Sequence, residues 1–211
     1  QPRRIRRSMA SWIASFHINA SHFGIGPGCR VAVLGQLQQS LALYGAVEAV
    51  HLGAEAHLLD ALRPDRQRAA LATRKLGLLY ATPAQLRLLV EAGGAELPDL
   101  RLIVVGGSKL DGGLRAALAA ITPARVREFY GAAEASFITL ADAETPEASV
   151  GRTYPGVEIE IRHPDTSGLG TIWLRSPYLF EGYAGDDPGG ASWDQGWLSV
   201  GEVGRLCDDY L

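Results

Sequence analysis

Arg127-Glu128-Phe129-Tyr130-Gly131-Ala132-Ala133-Glu134 is the stretch on which the reading of the whole chain turns. A strand-like run from Val126 ends at Tyr130, a glycine opens a turn, and a carboxylate follows shortly after the tyrosine. In open α/β sheets, ligands sit in the crevice beyond the carboxyl ends of the strands. An aromatic ring, a glycine and an acid at such a place suit a flat base, a close backbone approach and a metal-bound phosphate. Taken alone, the same residues also describe a strand that stops at an ordinary turn. The flanking sequence has to decide.

Upstream, helices and strands alternate. Ser8 to Phe23 reads as a helix that Gly24 and the Gly26-Pro27-Gly28 turn bring to an end. Arg30 to Leu34 is a short apolar run of the kind buried on both faces of a sheet. Gln38 to Leu52 is a helix closed by Gly53, Ala54 to Leu59 a strand, and Pro64 to Lys75 a helix with proline in its first turn. After the strand Leu76 to Ala81, Thr82-Pro83-Ala84-Gln85 forms a capping box, the clearest helix start in the chain. Arg101 to Val105 runs into Gly106-Gly107-Ser108, and Asp111 caps the helix that ends near Ile121. Arg125 to Tyr130 is the last strand of this series. Such alternation over residues 8–130 is the signature of βαβ units, a parallel sheet flanked by helices. It places both the opening stretch and Gly106-Gly107-Ser108 at carboxyl ends of strands.

Downstream of about residue 145 the pattern changes. Val157 to Arg162 alternates strictly, Thr171 to Arg175 is another strand, and Gly, Pro and Asp punctuate what lies between. The expected fold is α/β, with residues 1–145 as a helix-flanked parallel sheet and 146–211 as a small antiparallel β-barrel-like subdomain.

Composition narrows the functional classes. The 211 residues are 47% hydrophobic and 20% charged with net charge −3, which makes no global case for nucleic acid. Arg3, Arg4, Arg6 and Arg7 form a basic cluster, open to two readings: a phosphate contact or a solvated helix entrance. Cys29 and Cys207 lack a C-x-x-C partner, and the histidines show no H-E-x-x-H arrangement; this fits a reducing, cytoplasmic location without disulfides or a histidine metal site. No apolar run reaches membrane-spanning length and no signal peptide is visible, so no membrane partner is expected. A chain that starts at Gln1 reads as processed or truncated. No G-x-G-x-x-G or G-x-S-x-G is present to support a dinucleotide site or a serine nucleophile.

An ordered set of blocks is more specific than any one member. It runs Gly106-Gly107-Ser108-Lys109-Leu110, Tyr130-Gly131-Ala132-Ala133-Glu134, and Val150-Gly151-Arg152-Thr153-Tyr154-Pro155-Gly156-Val157. Thr171 to Pro177, Gly182-Tyr183 and Gly196-Trp197-Leu198-Ser199-Val200-Gly201-Glu202-Val203-Gly204 complete it. In this order and spacing the chain resembles, over essentially its whole length, the large N-terminal domain of the adenylate-forming (AMP-binding) acyl-CoA synthetase superfamily.

The resemblance implies ATP-dependent activation of a carboxylic acid as an acyl-adenylate, with transfer to the thiol of CoA or of a phosphopantetheine arm on an acyl carrier protein. It implies that Tyr130 stacks on adenine, that Gly106, Gly107 and Ser108 wall the other side of the base, and that Glu202 grips the ribose hydroxyls. Glu134 would hold Mg2+ on the ATP phosphates, and Arg3 would end the phosphate loop. Gln38, Gln39 and Tyr44, with the Gly131 and Ala132 backbone, would line the acid pocket. The resemblance further implies that most of the phosphate loop precedes Gln1 and that a hinge and small domain follow Leu211, so the 211-residue piece alone is expected to be inactive. Arg3 stands where relatives have lysine, Gln38 and Gln39 where a histidine is common, Ala133 where a threonine is usual, and Glu202 where an aspartate is usual. These departures leave a second expectation open, a non-catalytic relative that serves as a binding or scaffold protein.

Overall fold

The structure, a computed structural model, describes residues 4–185 and 189–211. In chain order the elements are β1 (Ile5–Arg6), α1 (Met9–Phe23), β2 (Arg30–Val33), α2 (Ser40–His51), β3 (Glu55–Leu58), α3 (Pro64–Thr73) and β4 (Leu78–Ala81). Next come α4 (Pro83–Glu91), β5 (Leu102–Val105), α5 (Gly112–Ala119), β6 (Arg125–Ala132), β7 (Ser136–Ala141) and β8 (Arg152–Thr153). The remainder is β9 (Glu158–Arg162), β10 (Gly170–Arg175), β11 (Gly182–Tyr183), β12 (Ser192–Asp194), β13 (Trp197–Ser199) and β14 (Val203–Gly204). Two compact units result. One is contiguous, Phe16–Glu128; the other joins the residues up to Ser15 to Phe129–Leu211.

In the contiguous unit the strand order is β3-β2-β4-β5-β6, and every neighbouring pair is parallel. Val31, Ala32 and Val33 are fully buried, and β4 and β5 are buried throughout, as strands covered on both faces must be. The core joins Leu71, Leu79, Leu86, Leu89, Ile103 and Leu114, contributed by α3, β4, α4, β5 and α5. Helix starts follow the expected chemistry. Thr82 N–H donates to Gln85 Oε1 at 2.9 Å and Gln85 N–H to Thr82 Oγ1 at 3.4 Å, the two halves of a capping box. Leu114 N–H donates to Asp111 Oδ1 at 2.9 Å and starts α5.

The buried polar groups of this unit include a carboxylate. Glu48 on α2 is 0% exposed. Asn19 Nδ2 donates to its Oε1 at 2.8 Å and also to the Tyr44 hydroxyl at 3.0 Å, and the Tyr80 hydroxyl donates to Glu48 Oε2. Burial pushes the Glu48 carboxyl up to about 7, although the bonds from Tyr80, Asn19 and Tyr44 pull the other way. Gly45 lets α2 approach this closely, since a Cβ there would lie 2.7 Å from the Tyr80 ring.

The second unit is antiparallel. Thr139 pairs with Thr153 and Leu140 with Arg152 between β7 and β8. A five-stranded sheet runs β12-β13-β10-β14, with β9 also paired to β10. β1 pairs with β11, Ile5 opposite Tyr183. Arg162 lies over Trp173 at 4.2 Å and Arg175 over Trp197 at 4.7 Å, cation–π packing on this sheet. The small antiparallel part expected after the parallel sheet is therefore present, and the change of pattern near residue 145 falls inside this unit.

Two local expectations need correction. The strand does not stop at Tyr130 but continues through Gly131 and Ala132, and the turn is Ala133-Glu134-Ala135. Gly131 is there for space: a Cβ on it would lie 2.1 Å from the Ser136 carbonyl oxygen. β7 itself was not foreseen.

Candidate functional site

Three of the expected site residues lie in the second unit, and two of them touch. Tyr130, near the end of β6, donates its hydroxyl to Glu202 Oε2, a partner 72 residues away in sequence. Glu202 is held in turn by its backbone, whose carbonyl accepts the Ile172 N–H of β10 at 2.9 Å. The Tyr130 phenol is pushed far above its ordinary value, first by burial and then by the hydrogen bond and negative charge of Glu202. It stays a protonated donor, a half-buried aromatic ring with a carboxylate at its polar end.

Glu134 sits on the turn after β6. Its backbone carbonyl accepts the Phe180 N–H at 2.8 Å, and its Oε1 accepts the Tyr183 hydroxyl at 2.9 Å. Beside it, the Ala133 carbonyl accepts Arg7 Nη2 at 2.6 Å, and Arg7 Nη1 donates to the Tyr178 carbonyl. Arg7 is half-buried, and its guanidinium also reaches Ser11 Oγ at 3.4 Å. Arg3 lies outside the described residues.

The other expected residues belong to the contiguous unit. Gly106 is buried, and Gly107 and Ser108 are exposed beyond the carboxyl end of β5, with Gly107 at φ +98°. The loop after them is braced by Glu128, which accepts the Leu110 N–H at 2.7 Å and pairs with Arg115. Gln38 and Gln39 are exposed at the start of α2; Gln38 Nε2 donates to Gln36 Oε1 at 2.6 Å. Tyr44 is 5% exposed and its hydroxyl accepts from Asn19 in the Glu48 network. A cavity of about 260 Å³ lies at the opposite edge of this sheet, at the amino ends of β2, β4, β5 and β6, lined by Phe23, Arg30, Leu78, Arg101 and Arg125 among others.

Arg7, Tyr183 and Glu128 had no assigned role in the sequence reading. In sequence Tyr183 is only part of a Gly-Tyr block, Arg7 only one of a basic cluster, and Glu128 only a member of the opening stretch. Their partners lie 126, 49 and 18 residues away, beyond the reach of any local pattern.

Among the described residues no helix is long and apolar enough to cross a membrane, and no group of three His, Cys, Asp or Glu is placed to hold a metal ion. Magnesium does not require such a cage, because one or two carboxylates with substrate phosphates suffice. Glu134 fits that role. It is half-buried, one oxygen is held by Tyr183, and its other oxygen has no partner among the described residues.

Comparison with known proteins shows the family and the fold. The profile of the family described as AMP-binding enzyme matches residues 6–184. An uncharacterized acyl-CoA ligase, YhfT of Bacillus subtilis (strain 168), is 30% identical over 219 residues, covering 99% of this chain and 44% of the relative. The fold matches O-succinylbenzoate coenzyme A synthetase (MenE) of Bacillus subtilis, solved with ATP and magnesium, at TM-score 0.85 and 20% identity over 98% of this chain and 45% of that one. The amide bond synthetase McbA of Marinactinospora thermotolerans superposes at TM-score 0.82 with 28% identity, covering 100% of this chain and 46% of that one. The chain thus spans about half the length of the relatives it matches. With a family match over most of its length and a relative of this closeness, the chain belongs to the AMP-binding enzyme family and has the fold of its adenylate-forming acyl-CoA ligases.

Proposed function

We propose that the protein activates a carboxylic acid with ATP, forming an acyl-adenylate and releasing pyrophosphate, and that the acyl group then passes to a thiol. The observation that carries this reading is the pairing of Tyr130 with Glu202. It joins an aromatic face to a two-oxygen acceptor at the end of a strand, the two features a purine and a ribose diol require. Glu134 stands four residues after Tyr130 on the same hairpin, with an oxygen to offer a cation.

A carboxylate is a poor electrophile because its departing oxygen would be a dianion or hydroxide. Attack of the acid on the α-phosphate replaces that oxygen by AMP, which leaves readily when a thiol attacks the carbonyl carbon. The first step needs little proton transfer. The protein has to hold two anions together and offset the charge between them. In this reading Tyr130 and Glu202 hold adenosine, and Glu134 with Mg2+ neutralises phosphate charge, with Arg3 as a further cation. Gly106, Gly107 and Ser108 are assigned to the nucleotide, and Gln38, Gln39 and Tyr44, with the Gly131-Ala132 backbone, to the acid, on the family resemblance. Residues 1–145 would then serve nucleotide and acid, and 146–211 would complete the nucleotide site. The acyl-CoA ligase relative supports CoA as acceptor. A phosphopantetheine arm offers the same thiol, and the amide bond synthetase relative makes an amine the competing acceptor.

The test is pyrophosphate release by the full-length protein across a panel of carboxylic acids, with Glu134→Ala as control and CoA or a simple amine as acceptor. Acid-dependent release that Glu134→Ala abolishes supports the reading. Release that persists in that variant removes the magnesium role, and none with any acid supports a binding or scaffold role.

A further inference from the structure

Tyr183 is the contact of Glu134 that the proposed chemistry leaves without a part. We infer that Tyr183 is a positioning residue: its hydroxyl fixes the Glu134 carboxylate so that one oxygen is presented to the cation carried by the nucleotide. The inference rests on the reading of Glu134 given above and adds the residue that would make it effective.

A glutamate on a turn has three free side-chain torsions and sweeps a wide volume unless something stops it. Here the backbone on both sides is already fixed. Arg7 holds the Ala133 carbonyl at 2.6 Å, and the Phe180 N–H holds the Glu134 carbonyl at 2.8 Å. Among the described residues the side chain has one hydrogen bond, from the Tyr183 hydroxyl to Oε1 at 2.9 Å. Tyr183 is itself well seated. It pairs with Ile5 across β1 and β11, and its ring meets Phe180 edge-on at 5.0 Å. Its far side packs on Gly189, where a Cβ would fall 1.7 Å from the ring, so only glycine leaves the ring its space.

A donor that occupies Oε1 withdraws that oxygen from cation binding and leaves Oε2 as the available one. Magnesium demands near-ideal octahedral geometry and tolerates a bidentate carboxylate poorly, so a carboxylate with one oxygen engaged suits it better than a freely rotating one. A second residue that orients a ligating carboxylate is a common support of metal affinity.

The experiment measures ATP binding to the 211-residue chain by calorimetry, with and without Mg2+, for the parent, Tyr183→Phe and Glu134→Gln. The expected result is that Mg2+ tightens ATP binding in the parent and that Glu134→Gln loses this gain. Tyr183→Phe should lose about ten-fold of it, the worth of one hydrogen bond to a charged group. Binding without Mg2+ should stay within about two-fold of the parent in Tyr183→Phe, because the adenosine contacts at Tyr130 and Glu202 are untouched. Equal weakening with and without Mg2+ would mark Tyr183 as merely structural and overturn the inference. So would a Tyr183→Phe chain that binds Mg-ATP like the parent while Glu134→Gln does not. A parent without any Mg2+ gain, or Glu134→Gln retaining it, would instead sink the role of Glu134 itself, and Tyr183 with it.

Discussion

Replacing Glu48 by glutamine should make the contiguous unit more stable at alkaline pH and remove most of its pH dependence. Glu48 is wholly buried, and its carboxyl is raised from 4.5 to about 7, with burial as the leading cause. The folded chain therefore keeps a proton that the unfolded chain has already released. Between these two values the folded state binds more protons, so stability falls as pH rises through the window. The stabilising protonated state is complete below about 4.5 and lost above about 7. At about 1.36 kcal/mol per pKa unit, the cost of the ionised carboxylate reaches about 3 kcal/mol above the window. Glutamine has nearly the same shape, keeps an acceptor for Asn19 or Tyr80, and cannot ionise. The variant should match the parent near the lower end of the window and exceed it by about 3 kcal/mol at a pH above the window. Urea unfolding followed by far-UV circular dichroism reads the right part of the molecule, because α2, α3, α4 and α5 all lie in the contiguous unit. Parallel stability-against-pH curves for parent and variant would refute the reasoning, since they would mean that Glu48 does not titrate between the folded and unfolded states.

Two further outcomes are expected. Gly131→Ala should cost about 3 kcal/mol or more in unfolding followed by tryptophan fluorescence, because its Cβ would lie 2.1 Å from the Ser136 carbonyl oxygen, a backbone atom that cannot step aside; an unchanged midpoint would mean that the β6–β7 turn is looser than described. Tyr130→Phe should leave the alkaline absorbance step of the tyrosines unchanged around their ordinary pKa of about 10, since burial and Glu202 keep this phenol protonated there; a smaller step would mean that Tyr130 titrates normally.

The parallel half of the fold was legible because each of its signals is local. The capping box at Thr82 and the cap at Asp111 involve residues three apart, and the apolar runs at Arg30 to Leu34 and Arg101 to Val105 need no partner to be recognised. β7 escaped notice for the opposite reason. In sequence Gly131 reads as the opening of a turn, whereas the glycine makes room for the Ser136 carbonyl inside a hairpin that only the folded backbone reveals. β1, β8, β11 and β14 have two residues each, and pairing with distant segments defines them more than their own sequence does. The site divides in the same way. Tyr130, Glu134 and Glu202 were reached through the order of blocks along the chain. Arg7 answers to no block, and Tyr183 stands in one that carries no role, because their part is to hold a carbonyl and a carboxylate that tertiary structure delivers.

The unit that carries Tyr130, Glu134 and Glu202 is interrupted in sequence by the whole of the other one. The bonds of Arg7 to the Ala133 and Tyr178 carbonyls close chain separations of 126 and 171 residues. Closing a flexible loop of that order costs about 4 kcal/mol in chain entropy, and the cost falls once the intervening residues are compact. On a translating ribosome the contiguous unit is complete before Phe129 is made, and domains fold as units while they emerge. Arg7 must then wait for partners more than a hundred residues behind it. A nascent chain halted before Phe129 would hold a finished parallel sheet and an arginine with neither of its carbonyls yet made, so Tyr130, Glu134 and Glu202 are assembled after the parallel sheet.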